Sequence, residues 1–329
     1  MPLNGSRANY SNRQRMCGEI LGGIDTVHLW LLDPLVIQDT DQWSKTHDPV
    51  RGEYFTRNHL NLRLRTSERG TSIQGSLPEY YLGNNAYTLT QNQTQEAFDQ
   101  LSEDLRINIL DAKVNRVDWA VDLVTDYPPY QYDCHLGDSR LLGEKIKFRK
   151  TSYYENTSRT LSIYDKGKKV KKDKKSVPEG FNTERWIRIE SRIKQPKKHL
   201  KMNIVMASDL CSESSRDSLF KGLQMDFKSI HKIKPYQADT PAPRNVHEFY
   251  EQSAAELTSI TGPDVQINKI NNWRKSGDID SQKATKYRKI IRNLQEQYGT
   301  IDPTSLADEL SRKLLIPLCL LYTSDAADE

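Results

Sequence analysis

Cysteine is scarce in this chain of 329 residues, and its four copies follow no pattern. Cys17, Cys134, Cys211 and Cys319 lie far apart, and none belongs to a CxxC pair. Because structural zinc sites and disulfide frameworks both need regularly spaced cysteines, we predict neither. Sparse, unpaired cysteine is typical of proteins in a reducing cytoplasm, which is where we expect this one.

Long apolar runs are also missing. No stretch of about 18 apolar residues could form a membrane-spanning helix, and the polar segment Met1 to Asn12 lacks the apolar centre of a secretory signal. We therefore expect no contact with a membrane. What remains is a polar chain, 36% hydrophobic and 28% charged, which is long enough for one large domain or two smaller ones.

Basic charge is concentrated in one part of the sequence. Residues 143–201 contain 19 lysines and arginines against 7 acidic residues, a local net charge of +12 in a chain whose total is +4. The rest of the chain is therefore acidic, at −8. A basic segment can be a solvated face, but charge of this density can also neutralise several phosphates of a nucleic acid.

Two periodicities divide the chain. Alternation of apolar and polar residues predicts strands over 24–31, 58–65, 72–77, 114–123, 146–154, 160–166 and 184–194. Apolar residues at helical spacing predict helices over 94–107, 130–142, 246–260 and 283–298. The lysine-rich stretch 168–175 is predicted to be a loop.

These elements predict an α+β fold with a helical appendage. Residues 1–23 show no clear period and are expected to form a flexible arm, which could extend upstream of the natural start. Residues 24–205 form the α+β domain, and residues 206–318 follow a helical, polar pattern. Residues 319–329 have the character of a translated sequencing adapter, so we treat them as a non-native tail and expect the natural C-terminus to be missing.

Two of the predicted strands carry charged residues on one face. Side chains alternate across a strand, so the segment RVDWAVD (116–122) places Arg116, Asp118 and Asp122 opposite its apolar side chains. The segment RIESR (188–192) places Arg188, Glu190 and Arg192 on one face in the same way. Carboxylates that converge from neighbouring strands are suitable ligands for Mg²⁺ or Mn²⁺. The alternative is a solvated sheet face held by cross-strand ion pairs.

A third segment, YYENTSRTLSIYDKG (153–167), contains a tyrosine pair near basic residues. A free phenol has a pKa of about 10, so it needs a metal ion or a nearby cation to attack a phosphate at neutral pH. Arg159 and Lys166 are close in sequence and could supply that cation. The alternative for Tyr153 and Tyr154 is packing within a strand.

The order of these segments carries a resemblance. RVDWAVD (116–122), then YYENTSRTLSIYDKG (153–167), then RIESR (188–192) resembles the replication initiators grouped with the gene II proteins of filamentous phages. It is also similar to the Rep proteins of rolling-circle plasmids. Upstream segments over 24–30, 75–85 and 104–114 fit the same pattern, so the resemblance covers roughly residues 24–200.

The resemblance implies a nicking domain, related to the HUH endonucleases, built on a mostly antiparallel sheet flanked by helices. Such enzymes cut one strand at a phage or plasmid origin, stay attached to its 5′ phosphate through tyrosine, and later rejoin the displaced circle. It implies Tyr153 or Tyr154 as the nucleophile, with Tyr153 ranked first. The implied ligands of Mg²⁺ or Mn²⁺ are Asp118 and Glu190, with Asp122 as a less certain third.

The same resemblance implies contacts with the DNA backbone. Arg188 and Lys166 are the implied phosphate ligands, and the basic segment around them adds further candidates: Arg116, Arg159, Lys168 and Lys169. Aromatic side chains such as Trp186 or Tyr80 could stack on bases, although both also suit a core. The partner would be origin DNA, single-stranded or in a hairpin, in the cytoplasm of a bacterial host. A host helicase and polymerase are further candidate partners.

One departure from the wider superfamily is clear. Its paired His-hydrophobic-His signature is absent, and only His59 and, on the first predicted strand, His28 remain as candidate metal ligands. Two other functions therefore stay open. One is a non-catalytic initiator that binds the origin and recruits replication proteins, for which residues 206–318 show no strong helix-turn-helix. The other is a conjugative relaxase or transposase with the same tyrosine chemistry.

Overall fold

The computed structural model describes residues 20–37, 42–50, 52–177, 181–233, 242–261, 263–298 and 306–314. These residues form an α+β fold in which helices flank a large antiparallel sheet, as predicted. Most of the predicted arm over 1–23 and the whole of the predicted tail over 319–329 lie outside the described residues. No helix in the described ranges combines the length and the apolar character that crossing a membrane requires.

Ten strands form the main sheet, in the order β2-β3-β4-β5-β1-β6-β11-β10-β9-β8, with every neighbouring pair antiparallel. Its strands are β1 (Ile20–Leu31), β2 (Ser44–Asp48), β3 (Gly52–His59), β4 (Leu62–Ser67), β5 (Gly70–Ser76), β6 (Lys113–Val124), β8 (Ile146–Phe148), β9 (Thr151–Glu155), β10 (Arg159–Asp165) and β11 (Trp186–Ile193). A separate pair joins β7 (Leu136–Ser139) and β12 (Ile230–Lys232). The charged strands β6 and β11 are therefore neighbours at the centre of the sheet.

Ten α-helices accompany the strands in the described residues. They are α1 (Leu77–Leu82), α2 (Gln91–Leu105), α3 (Pro129–Asp133), α4 (Lys166–Lys172), α5 (Pro196–Leu200), α6 (Glu213–Lys228), α7 (Val246–Thr261), α8 (Pro263–Ser276), α9 (Ser281–Tyr298) and α10 (Leu306–Leu314). Helix α2 begins three residues before the predicted start because Thr90 and Gln93 form a reciprocal capping box there.

The two faces of the sheet differ in chemistry. One face carries the alternate apolar side chains of the central strands, such as Trp119 and Ile189, and packs against α2, α6 and α10 in the main hydrophobic core. The other face, which we call the polar face, carries the charged side chains of β6 and β11. This is the separation that their alternation predicted.

Two predicted strands are in fact hairpins. The predicted strand over 58–65 is interrupted at Leu60, whose φ of 54° and 57% exposure place it in the turn between β3 and β4. The predicted strand over 146–154 is interrupted at Arg149, whose φ is 55°, between β8 and β9. Because non-glycine residues rarely adopt a left-handed backbone, the alternation of apolar residues suggested one continuous strand across each turn, and the predicted strand bounds were wrong.

Two further predictions were wrong in type. The predicted helix over 130–142 ends at Asp133, and residues 136–139 form β7 instead, paired with β12 from far along the chain. The predicted loop over 168–175 is largely helical, because α4 runs to Lys172. The side chain of Asp165 accepts a hydrogen bond from the backbone N–H of Lys168, and this cap starts the helix despite its repulsive lysines.

The C-terminal helices divide between two environments. Helices α7 and α9 confirm the predictions over 246–260 and 283–298 and pack with α8. Helices α6 and α10 instead contribute side chains such as Phe220, Leu223 and Leu310 to the main core. Residues beyond 205 are therefore part of the core that supports the sheet, and the domain boundary at 205 stays a prediction.

Candidate active site

The cross-strand register gathers the candidate residues on the polar face. One row of directly paired residues runs Tyr153, Ser162, Glu190, Ala120 across β9, β10, β11 and β6. The next row on one side contains Arg192 and Asp118, and the next on the other contains Tyr164, Arg188 and Asp122. Because directly paired residues of antiparallel strands share a face, these side chains project to the same side of the sheet.

Asp122 and Arg188 form a buried ion pair. The Arg188 guanidinium donates from Nε at 2.8 Å and from Nη2 at 2.5 Å to the two oxygens of Asp122, which also accepts the Trp186 indole N–H at 2.8 Å. Both charged side chains are no more than 1% exposed. The Arg188 Nη1 also reaches Asp25 Oδ1 at 3.2 Å. Asp122 thus accepts three hydrogen bonds from protein donors and is fully buried, so its oxygens are enclosed by the protein rather than open to a metal ion at the surface.

A wall of protein covers this end of the polar face. The backbone carbonyl of Asn85 accepts hydrogen bonds from the Lys166 ammonium at 2.6 Å and from Arg188 Nη1 at 3.3 Å. Beside them lies a small apolar cluster formed by Ala86, Val170, Phe181 and Trp186. Burial, together with the nearby Arg188 charge, lowers the pKa of Lys166 to about 7.

This wall changes two of the predicted roles. Lys166 and Arg188 are fully buried, so neither side chain reaches a surface on which DNA would lie. Their physical role in this structure is to satisfy Asp122, Asp25 and the Asn85 carbonyl. The predicted stacking residue Trp186 is also fully buried, and Tyr80 is 3% exposed, so neither ring is available to a base.

Glu190 lies where the polar face opens to solvent. The Tyr164 hydroxyl donates a hydrogen bond to Glu190 Oε2 at 3.1 Å. Burial, and then the neighbouring carboxylates Asp25 and Asp118, raise the pKa of Glu190 to about 7. An acidic group in this state is short of compensating positive charge, and a bound cation would relieve it.

Asp118 is held by arginines on both sides. Arg116 binds it through Nε at 2.8 Å and through a second, very short contact, and Arg192 Nε lies 3.3 Å from Asp118 Oδ2. Asp118 itself is 1% exposed, whereas Arg192 is 44% exposed. The arginines therefore present positive charge at the open part of the polar face, where a phosphate could approach.

The structure separates the two predicted tyrosines. Tyr153 is partly exposed and shares the polar face with Glu190. Tyr154 projects to the core face, is fully buried, and has a pKa raised far above its usual value, mainly by burial. The structure thus does not bring Tyr154 together with the predicted metal ligands. Tyr164, which the sequence analysis did not single out, is the tyrosine in direct contact with Glu190.

The remaining basic candidates lie in different places. Arg159 belongs to the core face, where its Nη2 lies 2.7 Å from the buried Asp226 of α6. Lys168 is half-exposed at the start of α4 and pairs with Asp165 at 2.9 Å. Lys169 places its ammonium 5.4 Å from the centre of the Tyr164 ring. Of the predicted phosphate contacts, Arg116 and Lys169 therefore lie beside residues of the polar face, whereas Lys168 lies at the end of the sheet near Tyr130.

The two candidate histidines are also separated. His28 lies on the polar face of β1, opposite Arg116, and its Nε2 is 2.9 Å from the Ser72 hydroxyl. Burial, together with the Arg116 charge, lowers the pKa of His28. His59 lies at the end of β3, which three strands separate from β6, and it contacts Asp104 at 3.0 Å. His59 is therefore remote from the carboxylates.

The carboxylates fit a divalent cation only in part. Within the described residues, no group of three His, Cys, Asp or Glu side chains has the arrangement of a complete metal site. Glu190 and Asp25 nevertheless offer two neighbouring carboxylates, flanked by Asp118, and after burial it is the charges of Asp25 and Asp118 that raise the pKa of Glu190. Mg²⁺ is commonly held by one or two carboxylates, with water and phosphate oxygens completing its shell.

Asp25 was missed by the sequence analysis because of a bulge. Val27, Leu29 and Leu31 lie on the core face, so strict alternation assigns Asp25 to the core as well. The register of β1 against β6 shifts between Ile24 and Thr26, and this irregularity turns Asp25 toward Arg188. The sequence did contain a signal, because Asp25 is charged at a position where alternation predicts an apolar side chain.

The chain has low similarity to proteins of known structure. No protein-family model matches the chain, and no curated protein matches it. Among solved structures, a rolling circle replication initiator protein from Geobacillus stearothermophilus aligns with 71% of this chain and 96% of its own, at 11% identity and a TM-score of 0.36.

Proposed function

We propose that this chain is a replication initiator that nicks one DNA strand at a phage or plasmid origin. The observation that carries the proposal is the composition of the open polar face. There Glu190, whose pKa is raised by burial and by neighbouring carboxylates, shares a row with Tyr153, accepts a hydrogen bond from Tyr164 and lies one row from the exposed Arg192. A sheet face built only for solubility would leave its carboxylates solvated, because burial of an unrelieved charge is unfavourable.

The proposed roles follow from exposure and register. Tyr153 is the proposed nucleophile, because it is the partly exposed member of the tyrosine pair and shares a row with Glu190. Arg192 and Arg116 are proposed to bind the scissile phosphate and to stabilise the charge that develops on it. Tyr164 is a second candidate nucleophile, which its hydrogen bond to Glu190 specifically favours.

The proposed reaction is a transesterification. The tyrosine oxygen forms a bond to phosphorus while the bond from phosphorus to the 3′ oxygen breaks. The phenol proton leaves the nucleophile, and the departing 3′ oxygen gains a proton to become a hydroxyl. The 5′ phosphate stays on the tyrosine, which conserves the energy of the broken bond for rejoining.

Mg²⁺ or Mn²⁺ is the proposed cofactor, with Glu190 and Asp25 as the residues that fit it and Asp118 beside them. When bound, such an ion would polarise a non-bridging oxygen of the phosphate. Asp122 is not proposed as a ligand, since Arg188 and Trp186 already occupy its oxygens. The proposed location is the cytoplasm of a bacterial host, and a host helicase and polymerase remain proposed partners.

The direct test is covalent capture of DNA. The full chain is incubated with Mn²⁺ or Mg²⁺ and with single-stranded or supercoiled DNA that carries a candidate origin, and the products are separated under denaturing conditions. We expect a metal-dependent protein–DNA adduct that disappears in Tyr153→Phe and persists in Tyr154→Phe. Loss in Tyr164→Phe alone would move the nucleophile to β10.

A binding-only initiator is the alternative from another class. It would bind the origin without nicking it, and Glu190→Gln would leave its function unchanged. Origin binding with neither nick nor adduct in either metal ion would therefore refute the nicking proposal. Arg192→Ala serves as an intermediate probe, because it should weaken cleavage while leaving Tyr153 and the carboxylates in place.

A further inference from the structure

A cavity at the end of the sheet has the composition of a nucleotide site. Its volume is about 280 Å³, and it lies between α3, the β8–β9 hairpin and the junction of β10 with α4. The inner part of the cavity is apolar, with the buried side chains of Leu136, Ile163 and Ile187 among its lining. It is separate from the carboxylates, since Ile163 and Ile187 belong to the core face.

The entrance to this cavity is basic. Four of its lining residues, Lys147, Arg149, Lys150 and Lys168, are exposed cations from two different elements. The cavity also contains Asp133 and Asp165, but each already pairs with a lysine of the same rim. A ligand that enters would therefore meet excess positive charge at the surface and apolar side chains below.

An exposed tyrosine completes the entrance. Tyr130 lines the cavity and is 67% exposed, and the Lys168 ammonium lies 5.9 Å from the centre of its ring. Exposed rings next to cations are the usual platform for stacked bases in proteins that bind single strands. A ring this exposed contributes little to the core, so the fold does not explain its position.

We propose that this cavity holds an unpaired nucleotide of single-stranded DNA, with the base stacked at Tyr130 and the phosphates at Arg149, Lys150 and Lys168. The inference rests on the proposed function for its choice of DNA. Stacking on the Tyr130 ring needs a base whose face is free, as in a single strand, so the occupant is unpaired. Lys168 at the cavity and Lys169 beside Tyr164 are consecutive residues of α4, which connects the cavity to the proposed cleavage site.

The test compares two exposed tyrosines. A fluorescein-labelled 15-nucleotide single strand and the same sequence as a duplex are titrated with the full chain, the Tyr130→Ala variant and the Tyr127→Ala variant. Tyr127 is the matched control, because it is 50% exposed and lies three residues away but does not line the cavity. We expect Tyr130→Ala to lose about tenfold in affinity for the single strand, and Tyr127→Ala to bind as the wild type does.

A charge series and a nicking assay separate the possible failures. Arg149→Ala and Lys150→Ala should each reduce the salt dependence of binding by about one phosphate contact. Equal affinity of Tyr130→Ala and wild type for the single strand would overturn the cavity proposal, even if nicking is observed. Conversely, Tyr130-dependent binding without any nick would refute the proposed enzyme and retain the site. Circular dichroism of each variant confirms that it is folded.

Discussion

The buried pair of Asp122 and Arg188 yields the sharpest quantitative prediction. Replacing Arg188 by Met removes the donors at 2.5 and 2.8 Å and leaves the fully buried Asp122 with the Trp186 N–H alone. Removing one partner of a buried ion pair typically costs about 3–5 kcal/mol, because the other charge stays in the interior without compensation. Since domains unfold with only about 5–15 kcal/mol, this single substitution should remove at least about a fifth of the stability.

The reasoning is tested by a double-mutant cycle. Asp122→Leu, Arg188→Met and the double variant are unfolded in urea and followed by tryptophan fluorescence, for which the buried Trp119 and Trp186 supply the signal. We expect the double variant to recover part of the loss, with a coupling energy of about 2–3 kcal/mol between the two sites.

A surface pair provides the control for this cycle. Lys45 and Glu53 lie 2.9 Å apart but are 55% and 56% exposed, so their coupling should stay below about 1 kcal/mol. If the Asp122–Arg188 cycle were additive within about 0.5 kcal/mol, the buried pair would not be a stabilising unit. Asp122 could then no longer be assigned a structural role in place of metal binding.

Three further outcomes are expected. Burial raises the pKa of Asp226 to about 6, so the wild type should lose about 2–3 kcal/mol of stability as the pH rises from 4 to 7. Asp226→Asn should not show this loss when both proteins are unfolded in urea across that range, and parallel pH profiles would contradict the assignment. Glu190→Gln should abolish cleavage but keep DNA affinity. Mn²⁺ should raise the melting temperature of the wild type and not that of this variant. If Mn²⁺ also raised the melting temperature of Glu190→Gln, that result would count against Glu190 as a ligand. Gly167→Ala should lower the melting temperature by several degrees, because a Cβ there would lie 1.8 Å from the Thr183 carbonyl oxygen; an unchanged midpoint would show that this contact relaxes freely.

The central strands were predictable because their side chains alternate without interruption. In β6 and β11 the charged and apolar faces came directly from the sequence, and the register confirms that Asp118 and Glu190 project to the same side. Hairpin turns at Leu60 and Arg149 could not be predicted, since neither residue is one that favours a left-handed backbone.

Burial was the part of the site that the sequence could not reveal. From the sequence alone, Arg188 could bind either a phosphate or a carboxylate. The segment around Asn85, about a hundred residues away, is what encloses Arg188 in the structure. The lysine run after Lys166 has the composition of a loop, yet the Asp165 cap makes it a helix whose first residue is internal. Long-range covering contacts of this kind depend on topology rather than on local pattern.

The carbonyl oxygen of Asn85 has a mechanical consequence. Because Lys166 and Arg188 both donate to it, one backbone atom fastens the segment between α1 and α2 to two different elements of the sheet region. Lifting that segment would break both hydrogen bonds at once and take the acceptor at 2.6 Å from the buried Lys166 ammonium, so a hinge motion there is energetically unfavourable. The wall over this end of the polar face is thereby held in place, so if the proposed function holds, adaptation to DNA would fall to the exposed Arg192 in the row beyond Glu190.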